Sequence, residues 1–223
     1  MTNVTYAIAD LHGAFDLIEL AMAQIERHAE AASAGSRTLI FLGDYIDRGS
    51  RSREIIERLM AGPRDGWRWV CLKGNHEAMM IEALRDPLDE ELWIENGGEA
   101  TLMSYSDDWL PGQVPDSHLA WVESLPLLHA DQHRVFVHAA VDPTRPLDAQ
   151  DEHALMWSRT GNALGHGDRF VVHGHTPHPQ GPVRDGNSIN LDTLAWKTGR
   201  LVVGVFDDDR AGGPVDLIEV LRR

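Results

Sequence analysis

A single cysteine, Cys71, is all the thiol chemistry this 223-residue chain offers. One thiol cannot close an internal disulfide, so a secreted, disulfide-stapled scaffold is excluded and a reducing compartment fits. Within Trp69-Val70-Cys71-Leu72 it reads as a small buried hydrophobe. No segment approaches the roughly 18 consecutive apolar residues of a membrane span. The start, Met1 to Tyr6, has neither the basic stretch nor the apolar run of a secretory signal. A cytoplasmic protein with no membrane partner is therefore expected. Positive charge is scarce too: 20 Lys and Arg face 35 Asp and Glu, a formal net charge of -15. That balance repels phosphate polymers at long range and argues against extended nucleic acid as a partner, while leaving room for a local basic pocket. Internal repeats and low-complexity stretches are missing as well. The length suits one compact domain over residues 1–223.

What the chain does have is histidine, twelve in all, and histidine is the commonest metal ligand. Apolar strands alternate with helical segments in the first half. Val4 to Ala9, Thr38 to Leu42 and Trp67 to Leu72 read as strands. Phe15 to Ala32, with Ile18, Met22 and Ile25 on one face, reads as a helix. Ser52 to Met60 is a second, closed by Gly62-Pro63, and Glu77 to Leu84 begins a third. Short apolar strands separated by helices imply a buried, mostly parallel sheet. From about Asp86 to Leu125 the pattern changes to a helical insertion carrying Trp93, Trp109 and Trp121 and the turn Asn96-Gly97-Gly98. Its tryptophans read as core residues, and the insertion as a wall of the cleft. Arg134 to His138, Arg169 to Val172, Ser188 to Leu191 and Leu201 to Phe206 are strand-like, with Val215 to Leu221 as an edge strand. The loop His178 to Gly186 is a second candidate wall.

The polar chemistry sits where strands end. Three consecutive strands run into Asp10-Leu11-His12-Gly13, Gly43-Asp44-Tyr45-Ile46-Asp47-Arg48-Gly49 and Gly74-Asn75-His76-Glu77. Ligand sites of α/β sheets form beyond the carboxyl ends of strands, so these loops should converge on one crevice. Later strands end in His138 and in His173-Gly174-His175-Thr176. Taken alone, any one cluster could be a strand-to-helix turn with Asp or Asn as the cap. Three at matching strand ends point to a shared site. The donors are carboxylate, imidazole and amide with no thiolate, which suits Mn²⁺, Fe or Zn²⁺ and argues against a cysteine-built structural zinc.

These motifs, in this order and about thirty residues apart, resemble the three signatures of the phosphoprotein phosphatase family. His138 and Gly174-His175-Thr176 complete the pattern over roughly residues 4 to 200. The likeness is greatest to the short bacterial and phage members. The resemblance implies a four-layer α/β fold, with two mixed β-sheets in a central sandwich flanked by helices, and two divalent metal ions, manganese first and iron or zinc compatible. It implies that Asp10 and His12 bind one metal, that Asp44 bridges both, and that Asn75, His138 and His175 bind the other. His76 would protonate the leaving group, held by Asp47. Arg48, Arg159 and Asn75 would contact the phosphate. Departures are Ala9, Ala139 after His138, and Leu194 after Leu191-Asp192-Thr193, where relatives commonly have glycine. None replaces a ligand. His173 reads as a supporting or packing residue, and His28, His118, His129, His133, His153, His166 and His178 as surface or structural ones.

The implied reaction is in-line attack of a metal-activated hydroxide on a phosphorylated protein or small phosphorylated substrate. Phosphoserine and phosphothreonine come first, with phosphotyrosine compatible. In a related branch that cleaves dinucleoside polyphosphates, the Asp-Arg-Gly ending is typically missing and Asp follows Asn-His. Asp47-Arg48-Gly49 and Glu77 thus favour the protein-phosphatase branch. The run Arg48-Gly49-Ser50-Arg51-Ser52-Arg53 pulls toward extended phosphate chains, such as a dinucleoside polyphosphate or a triphosphorylated RNA end. The plainer alternative for that run is a solvated helix start.

Overall fold

The computed structural model describes residues 3–86, 88–106 and 112–222; Trp109 lies outside them. The strands are β1 (Val4–Ile8), β2 (Arg37–Phe41), β3 (Trp67–Cys71), β4 (Leu128–Ala130), β5 (Arg134–Val137), β6 (Phe170–His173), β7 (Val183–Asp185), β8 (Ser188–Asn190), β9 (Arg200–Asp207) and β10 (Asp216–Leu221). The helices are α1 (Phe15–Ala31), α2 (Ser52–Met60), α3 (Asn75–Arg85), α4 (Glu90–Trp93), α5 (Glu99–Ser104), α6 (Asp116–Glu123), α7 (Glu152–Trp157) and α8 (Ala195–Thr198). A π-helical turn, Ile94–Gly98, joins α4 to α5.

Two five-stranded sheets result, ordered β10-β9-β1-β2-β3 and β4-β5-β6-β8-β7. β1, β2 and β3 are parallel, as their apolar runs and intervening helices require. The sheet is nonetheless mixed, because β9 returns antiparallel against β1 and carries β10 at its edge. The second sheet is parallel at β5-β6-β8 and antiparallel at both flanks. Two short edge strands depart from the sequence expectation. β4 precedes β5, and β7 lies inside the stretch 178–186 that reads as a loop, because three exposed residues give no periodicity to detect.

The period-two alternation of the strands assigns their faces. Ala7, Ile40, Leu42 and Leu72 meet Phe136, Val172, Ile189 and Leu191 between the sheets. Tyr6, Ile8, Leu39 and Phe41 point the other way, onto Leu17, Ile18, Met22 and Ile25 of α1 and Ile55, Ile56 and Leu59 of α2. Val135, Val137 and Val171 pack outward on Leu155 of α7. Helix, sheet, sheet and helix make four layers. Each fully buried side chain of this kind contributes about 1.5–3 kcal/mol from removal of apolar surface. With both faces covered, polar chemistry is confined to the strand ends.

Candidate dinuclear metal site

The loops after β1, β2, β3, β5, β6 and β8 end on one rim of the sandwich, and their backbone is strained there. Eight described non-glycine residues have positive φ, between 41° and 71°, and seven are at this rim: Asp10, His12, Asp44, Asp47, Arg48, His175 and Leu194. Such conformations cost about 1 kcal/mol each and collect where geometry serves a site. Glu77 holds the second and third loops together. It accepts from the amides of Asp44 (2.8 Å), Tyr45 (2.8 Å) and Gly74 (2.9 Å). A Cβ on Gly74 would collide with the Asp44 carboxylate, and one on Gly174 with that of Asp10, so close approach fixes glycine at both positions.

Three imidazoles have their tautomers set by backbone carbonyls. Nδ1 of His12 donates to Ile46 (2.8 Å), Nδ1 of His138 to Leu42 (2.9 Å) and Nε2 of His175 to Trp157 (3.1 Å). The remaining ring nitrogens carry lone pairs into the site. Burial keeps all three rings neutral, pushing His12 and His175 down to about 3 and lowering His138. Asn75 Oδ1 lies 2.9 Å from both His138 Nε2 and His175 Nδ1, which are themselves 3.2 Å apart. Asp44 Oδ1 is 3.5 Å from His138 Nε2, and Asp44 Oδ2 is 3.5 Å from His12 Nε2. Four acceptors thus converge around Asn75 and Asp44, an arrangement that repels itself unless a cation sits among them. The donor set suits a borderline or hard divalent ion, so the residues present fit the implied metal.

Charge points the same way. Burial, with Asp192 and Asp44 close by, raises Asp10 well above the ordinary carboxylate range. Burial likewise pushes Asp192 up to about 6. A buried carboxylate cluster faced by neutral imidazoles calls for external positive charge. Asp10 accepts the His175 amide at 3.1 and 3.2 Å.

His76 differs from the other rings. Its Nδ1 donates to Asp47 Oδ2 at 2.6 Å, and its Nε2 accepts from Arg48 Nη2 at 3.0 Å. Burial opposes protonation, but Asp44 and the Asp47 hydrogen bond overcome it and raise His76 above its ordinary value. Two close groupings arise, His12-Asp44-His76 and Asp44-His138-His175. The Asp47 bond engages His76 away from Asp44, whose carboxylate is 3.9 Å off. Arg48 also donates through Nη1 to His12 Nε2 at 3.1 Å.

Arg159 lines a cavity of about 510 Å³ beside His175, with Arg184, His173 and His178. Its charge is felt by His175 and Asp192. His173 turns away, donating from Nδ1 to the Gly174 carbonyl (3.1 Å). Arg51 and Arg53 are engaged by their own helix, each Nε 2.8 Å from Glu54 and Glu57 respectively. Those pairings are the ones a solvated helix start makes, while Arg51 also lines a cavity with His12 and Arg48. Four residues at the site carried no usable signal as single letters: Asp192, Glu77 as a loop staple, and Trp93 and Thr101, which both donate to Asp47.

The sequence model of the calcineurin-like phosphoesterase family matches residues 4–204. Serine/threonine-protein phosphatase 2 of Escherichia coli K12 is 33% identical over 94 residues, 42% of this chain and 38% of that protein. A symmetrical bis(5'-nucleosyl)-tetraphosphatase of Janthinobacterium is 28% identical over 142 residues, 62% of this chain and 44% of that one. The chain thus spans well under two thirds of either relative. A cold-active protein tyrosine phosphatase of a psychrophilic Shewanella superposes with a TM-score of 0.65 at 18% identity, over 100% of this chain and 81% of that one. That likeness concerns the fold alone.

Proposed function

This chain belongs to the calcineurin-like phosphoesterase family, and from that premise we propose that it removes phosphate from phosphoserine or phosphothreonine proteins, with phosphotyrosine as a compatible substrate. The observation that carries this reading is the His76–Asp47 pair, bonded at 2.6 Å and buried beside the convergent acceptors of Asp44, Asn75, His138 and His175. Asp10 and His12 would complete the ligands of the first ion, Asp44 would be shared, and Asn75, His138 and His175 would hold the second. When bound, two divalent cations, manganese first, supply Lewis acidity and a water of lowered pKa. The residues do the rest. Arg48 offers a planar guanidinium to the phosphate as charge develops, and Asn75 and Arg159 flank it. His76, in its imidazolium form with Nε2 released from Arg48, gives the Nε2 proton to the leaving oxygen, while Asp47 keeps accepting from Nδ1.

A second reading, a dinucleoside polyphosphate or RNA 5′-end hydrolase using the same centre, has one specific observation in its favour. Arg159 and Arg184 line one cavity. A longer phosphate chain could use both. The discriminating experiment gives metal-stripped protein, restored with Mn²⁺, a panel of phosphoserine and phosphothreonine peptides, diadenosine tetraphosphate and a triphosphorylated RNA. Peptide turnover with inert nucleotides is the expected result. The reverse would move the enzyme to nucleotide or RNA-end chemistry.

A further inference from the structure

Asp47 is buried with no exposed surface, and its carboxylate has more partners than His76. Trp93 Nε1 donates to both of its oxygens at 3.0 Å, and Thr101 Oγ1 donates to Oδ1 at 2.6 Å. The backbone amide of Asp47, held at φ 71°, donates in turn to Thr101 Oγ1 (2.9 Å) and Ser52 Oγ (3.1 Å). Trp93 and Thr101 lie 46 and 54 residues away in sequence and are 1% and 0% exposed. A buried indole N–H needs some acceptor, but any backbone carbonyl would serve. Here it is spent on the carboxylate that orients His76.

The same segment shapes the next residue. Arg48 donates its backbone N–H to the Gly97 carbonyl at 3.1 Å. A Cβ on Gly97, whose φ is 106°, would stand 2.9 Å from the Arg48 side chain, and one on Gly98 would stand 2.6 Å from the Trp93 ring. The turn Ile94–Gly98 is therefore cut to fit Trp93 on one side and Arg48 on the other.

We propose that residues 93–101 form a positioning clamp for proton transfer: Trp93 and Thr101 fix the plane of the Asp47 carboxylate, so that Oδ2 holds His76 with Nε2 aimed at the leaving oxygen. The inference rests on the assignment of His76 as proton donor. It makes this part of the insertion a support of the reaction in addition to a wall of the cleft. A carboxylate with one imidazole partner can rotate about its Cβ–Cγ bond. Three further donor contacts leave it one orientation, and a proton donor misplaced by a fraction of a hydrogen-bond length loses much of its advantage.

The test uses Trp93→Phe and Thr101→Val in the full chain, with Thr101→Ser restoring a hydroxyl. Metal content and inhibition by inorganic phosphate are read alongside kcat and KM for two substrates. The serine oxygen of a phosphopeptide would leave as a basic alkoxide and needs the proton; the p-nitrophenolate of p-nitrophenyl phosphate leaves readily without it. For Trp93→Phe and Thr101→Val, metal content and phosphate inhibition should match the parent. kcat on the peptide should fall roughly tenfold or more, and kcat on p-nitrophenyl phosphate less than about threefold, with KM steady. Thr101→Ser should recover most of the peptide rate. In a His76→Asn background, Thr101→Val should cost nothing further, because both act through one group. Equal losses on both substrates, or no loss on either, would overturn the clamp. If His76→Asn itself shows no leaving-group dependence, the proton-donor assignment fails and the clamp fails with it. If His76→Asn shows it and the clamp variants do not, only the clamp is lost.

Discussion

The two halves of the candidate metal centre share Asp44 yet differ in what balances them. Around Asn75, His138 and His175, three lone pairs meet within 3.2 Å, and each ring's second nitrogen is already committed to a backbone carbonyl. Around His12, the free Nε2 instead accepts from Arg48, which also rests on His76. The first arrangement suits a cation as it stands. In the second, a cation held by His12 would take the place of the guanidinium at Nε2. A phosphate that engaged Arg48 would free His12 and His76 together. Ions should therefore bind the two halves with unequal affinity, tighter at Asn75-His138-His175.

The largest change is expected where the halves meet. Asp44→Asn should abolish both cations, measured by metal analysis after dialysis, and lower turnover by about a thousandfold or more. His138→Ala should instead remove one cation and spare the other, and loss of both would dissolve the distinction between the halves. His76→Asn should retain both ions while slowing phosphoserine hydrolysis by about a hundredfold, with a much smaller effect on p-nitrophenyl phosphate. Arg48→Ala should weaken inhibition by free phosphate about tenfold, the worth of one charge-assisted contact. Calorimetry on the same variant should show tighter binding of the weaker ion, since its competitor is gone.

The smallest effect concerns pH. Burial pushes His173, behind the Asn75 half, down to about 4. Between about pH 6.5 and pH 4 the unfolded chain accepts a proton at this residue and the folded chain does not, so its contribution to stability falls as pH falls. Asp192, raised to about 6, acts in the opposite direction over part of that window. His173→Gln should therefore flatten the acid side of the melting-temperature profile relative to the parent, measured on metal-free protein, with metal stoichiometry unaltered.

The clustering of the candidate ligands was legible because each stands near the end of an apolar strand, and a parallel sheet gathers those ends on one rim. The same periodicity gave β1, β2, β3 and α2 nearly residue for residue. Strands β4 and β7 were hidden because three-residue edge strands carry no pattern. The mixed character of both sheets followed from the family resemblance, but the pairing of β9 with β1 had no local signal, because the two strands lie about two hundred residues apart. Trp93 and Thr101 were unreadable as partners of Asp47 for a related reason: their spacing from it reflects the return path of an insertion, which no local rule encodes. The solvated helix start read for Arg51 and Arg53 has its partners in the sequence too, since Glu54 and Glu57 stand one turn along to engage them.

The most direct measurement is a titration of metal-free protein with Mn²⁺, following bound ions and phosphoserine-peptide hydrolysis in the same samples, for the parent and for Asp44→Asn. The expected result is two ions per chain, bound with unequal affinity, turnover rising with the second equivalent, and neither ions nor turnover in Asp44→Asn. Full turnover by the metal-free chain, or an Asp44→Asn variant that keeps both ions and its rate, would contradict a centre built on this carboxylate.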